Sequence, residues 1–156
     1  MSDLRDLYQE VILDHSRHPR NFRRPDGANR EAKGDNPLCG DKVAVFLTIE
    51  DGKVIDVGFE GRGCAISMAS ASLMTDIVKG KSEAEAHALF ERFHGEMTGK
   101  STCHGAAAGE LDKLTVLSGV REYPMRVKCA TLSWHTLIAA LDKKQNEVTT
   151  ESDDRF

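Results

Sequence analysis

The chain has 156 residues, and its 21 Lys and Arg against 25 Asp and Glu leave a formal charge of −4. That balance argues against a nucleic-acid-binding module, because phosphate neutralisation needs a broad basic stripe. Length and a 40% hydrophobic share suit one domain with one core, since ~100–200 residues per domain is the rule.

The first residues, Met1-Ser2-Asp3-Leu4-Arg5-Asp6, carry no apolar leader, and the longest apolar run, residues 43–49, is far shorter than the ~20 residues of a membrane span. A cytoplasmic protein without membrane contact is therefore expected. Leu4, Leu7, Tyr8, Val11 and Ile12 recur at three- and four-residue intervals, the period of an amphipathic helix. That helix has to end before Pro19, because the residue preceding a proline disfavours the helical conformation. Arg17, Arg20, Arg23 and Arg24 follow, a local basic patch that suits either a solvated loop or an acidic protein partner.

A strand is expected near residues 30–34. Residues 42–59 then read VAVFLTI, Asp51-Gly52 and KVIDVGF at their centre, two β-branched and aromatic runs around a pair that favours a type I′ hairpin. From Cys64 the period turns helical, through Ile66, Met68, Ala69, Leu73, Met74, Ile77 and Val78, and Gly80 stops it. Ser82-x-x-Glu85 is a capping box for a further helix through Ala88, Leu89, Phe90 and Phe93. Residues 95–109 are small and polar and read as an irregular excursion, followed by a short helix over 110–117. After Pro124, the positions Val127, Ala130, Thr131, Trp134, Leu137, Ile138 and Leu141 form the last amphipathic helix. Residues 143–156 lack any apolar period and read as a polar, disordered tail on a domain spanning 1–142. Strands grouped early and helices grouped late predict an α+β fold, a small antiparallel sheet of about three strands packed against a layer of α-helices.

Chemistry is expected at the cysteines, Cys39, Cys64, Cys103 and Cys129. A cytosolic chain of this size has little need of disulfides, so metal binding or thiol chemistry is the better reading. In Cys39-Gly40-Asp41 the glycine lets a thiolate and a carboxylate turn toward one point. Cys64 follows Gly61-Arg62-Gly63 and opens a helix, and Cys129 is expected in the first turn of the last one. A helix N-terminus favours an anion, which marks both as thiolate candidates. Three sulfurs and one oxygen suit tetrahedral Zn²⁺. The spacing is not that of a zinc finger, however, and buried inert cysteines satisfy the same pattern.

The segments Gly34-Asp35-Asn36-Pro37-Leu38-Cys39-Gly40-Asp41, Phe59-Glu60-Gly61-Arg62-Gly63-Cys64-Ala65-Ile66-Ser67-Met68 and Val127-Lys128-Cys129-Ala130-Thr131-Leu132-Ser133-Trp134 resemble the U-type iron–sulfur cluster assembly proteins, and within them the SufU branch. Scaffold-type IscU proteins carry a histidine before the third cysteine and a Leu-Pro-Pro-Val-Lys chaperone motif. This chain has Lys128 and Glu122-Tyr123-Pro124-Met125-Arg126 at those places, and residues 95–119 look like the insertion of the SufU branch. The resemblance implies a zinc-containing sulfurtransferase that takes persulfide sulfur from a SufS-type cysteine desulfurase and serves downstream iron–sulfur scaffold proteins. It implies Cys39, Asp41, Cys64 and Cys129 as metal ligands, and Cys39 as the sulfur acceptor. The same pocket suits a scaffold that assembles a transient iron–sulfur cluster, because clusters too are held by thiolates, and a module in which zinc is purely structural.

The remaining reactive types have blander expectations. Cys103-His104 reads as an exposed, non-essential pair, and His15 and His18 as complements to a helix C-terminus. His135, Met68 and Met74 read as packing. Arg126 and Lys128 flank a ligand cysteine and suit either thiolate stabilisation or partner contact.

Overall fold

The structure, a computed structural model, describes residues 3–37, 39–98, 117, 120, 123–143 and 148–149. The order is α1 (Asp3–Arg17), β1 (Arg30–Asn36), β2 (Asp41–Glu50), β3 (Lys53–Arg62), α2 (Ala65–Val78), α3 (Glu83–Thr98), α4 (Pro124–Leu141) and β4 (Val148–Thr149). The expected α+β architecture holds: β1, β2 and β3 form an antiparallel sheet covered by helices. Strand order is β3-β2-β1-β4, with β4 parallel to β1 through Gly34↔Val148 and Asp35↔Thr149.

The hairpin turns where the sequence places it. Asp51 and Gly52 have φ of 52° and 75°, both positive as a type I′ turn requires. Alternation along β2 then sorts the faces. Val43, Val45, Leu47 and Ile49 enter the core, where a fully buried Val or Leu contributes ~1.5–3 kcal/mol. On the opposite face Lys42 is exposed and Phe46 is covered by the Arg24 guanidinium, 5.1 Å from the ring centre.

α2 is the central helix. Ten of its residues are buried because α1, β3 and α4 all pack against it. The His15 ring Nδ1 lies 2.7 Å from Ser72 Oγ, and the Arg20 amide donates to the same oxygen at 2.8 Å. His15 therefore fastens the end of α1 to α2, beyond the dipole role its position suggests. Three of the four arginines of the basic patch meet carboxylates: Arg20 with Asp14, Arg23 with Asp56 and Arg24 with Glu31. On the other flank the Trp134 ring packs at 4.9 Å against Phe93, tilted by 33°, and His135 is fully buried in the packing with its ring edge-on to Phe90 and His94. Met74 is buried in the core.

Several expectations need adjustment. The capping box opens α3 as expected, Ser82 N donating to Glu85 Oε1 and Glu85 N to Ser82 Oγ, each at 3.0 Å. The helix runs on to Thr98, so residues 95–98 are helical: the buried Met97 continues the apolar face of Phe90 and Phe93. β1 is longer than 30–34, reaching Asn36. The rest of the expected excursion, the helix expected over 110–117 except for the buried Leu117, and Cys103 and His104 lie outside the described residues. Within the polar stretch 143–156, Val148 and Thr149 are paired to the sheet, since a strand edge accepts any backbone that reaches it. Among the described residues, no helix is long and apolar enough to cross a membrane.

Candidate metal centre

The centre forms where the β1–β2 connection, the N-terminus of α2 and the second turn of α4 meet. Cys39 sits in the connection, its amide bonded to the Asn36 carbonyl at 3.2 Å. Gly40 follows with φ of +73°, a conformation that L side chains rarely adopt. The reversal puts Asp41 at the first position of β2, fully buried, opposite Asn36 in the ladder.

Cys64 is the N-cap of α2, its Sγ accepting from the Ser67 amide at 3.4 Å. Its own amide donates to Asp41 Oδ1 at 2.9 Å, and its Sγ lies 3.9 Å from Asp41 Oδ2. The carboxylate fits there because Gly63 has no side chain: a Cβ at that position would lie 2.5 Å from Asp41 Oδ1. Cys129 reaches in from α4, buried, with its Sγ 3.4 Å from Cys39 Sγ.

Cys39, Asp41 and Cys129 thus bring two sulfurs and an oxygen within 4.8 Å of one another. Of the four residues expected from sequence, these three form the converging group, and Cys64 adjoins it with its Sγ 3.9 Å from Asp41 Oδ2. Cys39 and Cys64 stay half-exposed at the rim while Asp41 and Cys129 lie beneath.

The electrostatics separate the thiols. Cys64 is lowered from 9.0 to about 6, first by its hydrogen bond with Cys129 and then by the Ser67 and Ile66 amides, against burial and the Asp41 charge. Cys129 is raised, because its proton is shared with Cys64 and burial penalises its charge. The expectation that both thiols sit at helix N-termini fails for Cys129. α4 begins at Pro124, so Cys129 lies beyond the orphan amides of the first turn and gains little from them. The Arg126 guanidinium is held more firmly charged, chiefly by Cys64 and then by Cys129 and Cys39. Arg126 also lines an open cavity of about 410 Å³ with Cys64, Ala65, Ile66, Val120 and Tyr123.

The donor set fits a thiophilic divalent ion. Two rim thiols and a buried one converge on a fully buried carboxylate, and burying a carboxylate so completely is costly without a cation. Thiolates with one oxygen are a Zn²⁺ set.

Residues 7–130 match the family model described as the NifU-like N terminal domain. The chain is 38% identical over 146 residues to the iron–sulfur cluster assembly scaffold protein IscU of Streptococcus pyogenes serotype M1, covering 94% of this chain and 89% of the relative. It is 37% identical over 147 residues to the zinc-dependent sulfurtransferase SufU of Bacillus subtilis strain 168, covering 92% and 95%. A crystal structure of an assembly scaffold protein of the SUF system from Fervidobacterium islandicum AW-1 superposes with a TM-score of 0.78 at 36% identity, over 85% of this chain and 94% of that one. A cysteine-rich centre on this sheet-and-helix frame, matched along nearly its whole length, makes the chain a member of the IscU/NifU-N superfamily of iron–sulfur cluster assembly proteins.

Proposed function

We propose that this chain is a zinc-dependent sulfurtransferase of the cytoplasm that accepts persulfide sulfur on Cys39 from a SufS-type cysteine desulfurase and passes it toward iron–sulfur scaffold proteins. The observation that carries this reading is the arrangement at Cys39: a half-exposed thiol on a glycine-reversed turn, 3.4 Å from a buried thiol and one residue from a buried carboxylate. Cys39, Asp41, Cys64 and Cys129 would hold Zn²⁺, which keeps thiolates available and has no redox chemistry of its own.

The remaining chemistry belongs to the chain. Cys39, freed as a thiolate, attacks the outer sulfur of the donor persulfide. A new S–S bond forms on Cys39, the old one breaks, and the donor cysteine leaves as a thiolate with the electron pair. Asp41 is anchored by the Cys64 amide, which fixes the carboxylate beside Cys39. Arg126, exposed beside the rim, offsets the negative charge of the thiolates. Lys128 before the third cysteine, and the name of the Bacillus subtilis relative, support the transferase over the scaffold.

The second reading, a scaffold on which a cluster is assembled, has the name of the Streptococcus pyogenes relative behind it. The deciding experiment is desulfurase turnover with and without the protein, followed by mass spectrometry. Wild type is expected to stimulate turnover and gain one sulfur on Cys39, and Cys39→Ala to do neither. Stimulation at wild-type level by Cys39→Ala overturns the assignment. A cluster spectrum after anaerobic reconstitution, with no stimulation by wild type, favours the scaffold.

A further inference from the structure

Asn36 meets three sides of the centre without being a ligand type. It is 1% exposed, although Asn is mostly a surface residue. Its carbonyl accepts from the Cys39 amide at 3.2 Å. Its backbone is the ladder partner of Asp41, the closing pair of β1 and β2. Its side-chain Nδ2 donates to Cys129 Sγ at 3.7 Å, across 93 residues of chain.

The need for that donor follows from where Cys129 sits. Cys64, at a helix N-cap, takes a backbone amide from Ser67. Cys129 lies in the second turn of α4, where backbone amides are spent within the helix. Held to a metal it would be a buried thiolate, which needs a donor from elsewhere. On the buried side Asn36 provides one at 3.7 Å.

We propose that Asn36 is a positioning residue of the metal centre, its amide fixing the sulfur of Cys129 while its backbone fixes the turn that carries Cys39. The inference rests on reading the four residues as a metal site, and it adds to that reading a supporting residue outside the ligand set. Such outer-shell donors orient ligands and tune the electron density that the sulfur gives to the metal.

The test uses the full chain loaded with Zn²⁺ or with Co²⁺ as a coloured substitute. Asn36→Asp has nearly the same shape, lacks the N–H donor and adds a charge. Asn36→Ala lacks the donor without adding one. Both are expected to bind zinc about 10–100-fold more weakly, the range for lost outer-shell partners. Both are also expected to shift the sulfur-to-cobalt charge-transfer band to longer wavelength, because removing a hydrogen bond raises the energy of the sulfur lone pair. A residue that served folding alone would lower occupancy and melting temperature together and leave the band of the bound fraction in place.

An unmoved band in both variants, or wild-type zinc affinity in either, overturns the role of Asn36. If Asn36→Asp fails to fold, Asn36→Ala carries the comparison. A wild type that takes up neither metal overturns the metal reading itself, a different result from variants that match a metal-binding wild type.

Discussion

At the scale of single residues, the centre depends as much on what is missing as on what is present. Gly63 leaves room for the Asp41 carboxylate, and the added methyl of Gly63→Ala would fall 2.5 Å from Asp41 Oδ1. Neither group has freedom to move, since Asp41 is fully buried and bonded to the Cys64 amide. Overpacking of this kind costs ~1–3 kcal/mol, so Gly63→Ala is expected to lower the denaturant midpoint and the zinc content together. Chemical unfolding and elemental analysis check both, and unchanged zinc would mean that the carboxylate is not a ligand. The glycine is readable in the motif, but its reason is not: only the approach of β2 shows what the vacant Cβ position accommodates.

At the scale of elements, short local devices set where helices begin and how the edge strand is covered. The reciprocal Ser82–Glu85 bonds stand outside the core, so Ser82→Ala is expected to cost about 1 kcal/mol, the usual loss for an N-cap. Equilibrium urea unfolding measures it. β3 is guarded by the segment after α1, where the Phe59 amide bonds to the Asn21 carbonyl at 3.1 Å and Arg23 pairs with Asp56 at 3.1 Å.

Burial raises the Asp56 carboxyl, but the bonds from Arg23 and the Val57 amide, with the charges of Arg23 and Lys79, outweigh it and leave its pKa below 3.8. A group whose pKa is depressed on folding adds stability above its unfolded value and loses it as pH falls through the folded one. The contribution of Asp56 is therefore present at neutral pH and disappears below about pH 4. Both partners are partly solvated, which limits it to ~0–1 kcal/mol. Asp56→Asn is expected to lower the urea midpoint slightly at neutral pH, to leave it unchanged well below pH 4, and so to flatten a small part of its acid dependence.

At the scale of the whole molecule, the centre joins three elements that are far apart in the chain: the β1–β2 connection, the start of α2 and the second turn of α4. A metal held by all three adds its binding energy to folding, because the unfolded chain has no preformed site. Zinc is expected to raise the thermal midpoint in a concentration-dependent way and a chelator to lower it. Cys129→Ser, which removes a candidate ligand from the helix that packs on both α2 and the sheet, is expected to lose most of the zinc effect. Calorimetry with and without zinc checks this, and a midpoint indifferent to zinc in wild type would count against the metal centre.

What was readable from residues alone is what short-range physics governs. The β-hairpin at Asp51-Gly52, the helix from Ala65 and the box at Ser82 each follow from the preferences of a few neighbouring residues. The three cysteine motifs mark where chemistry is concentrated through their resemblance to the family, since spacing alone suits inert buried cysteines as well. Tertiary structure decided the rest. Whether Cys129 gains from a helix terminus depends on where α4 starts, and Pro124 can occupy the first helical position as readily as it can end a loop. Asn36 has no local signature, since its neighbours are Asp41 across a ladder and Cys129 across the domain. His15 shows a helix end in sequence and a buried bond to Ser72 in space. Local preference sets elements because it acts over a few residues. The choice among sulfurs at the centre needed the packed fold, because it is made by groups that meet only after residues 36, 64 and 129 have been brought together.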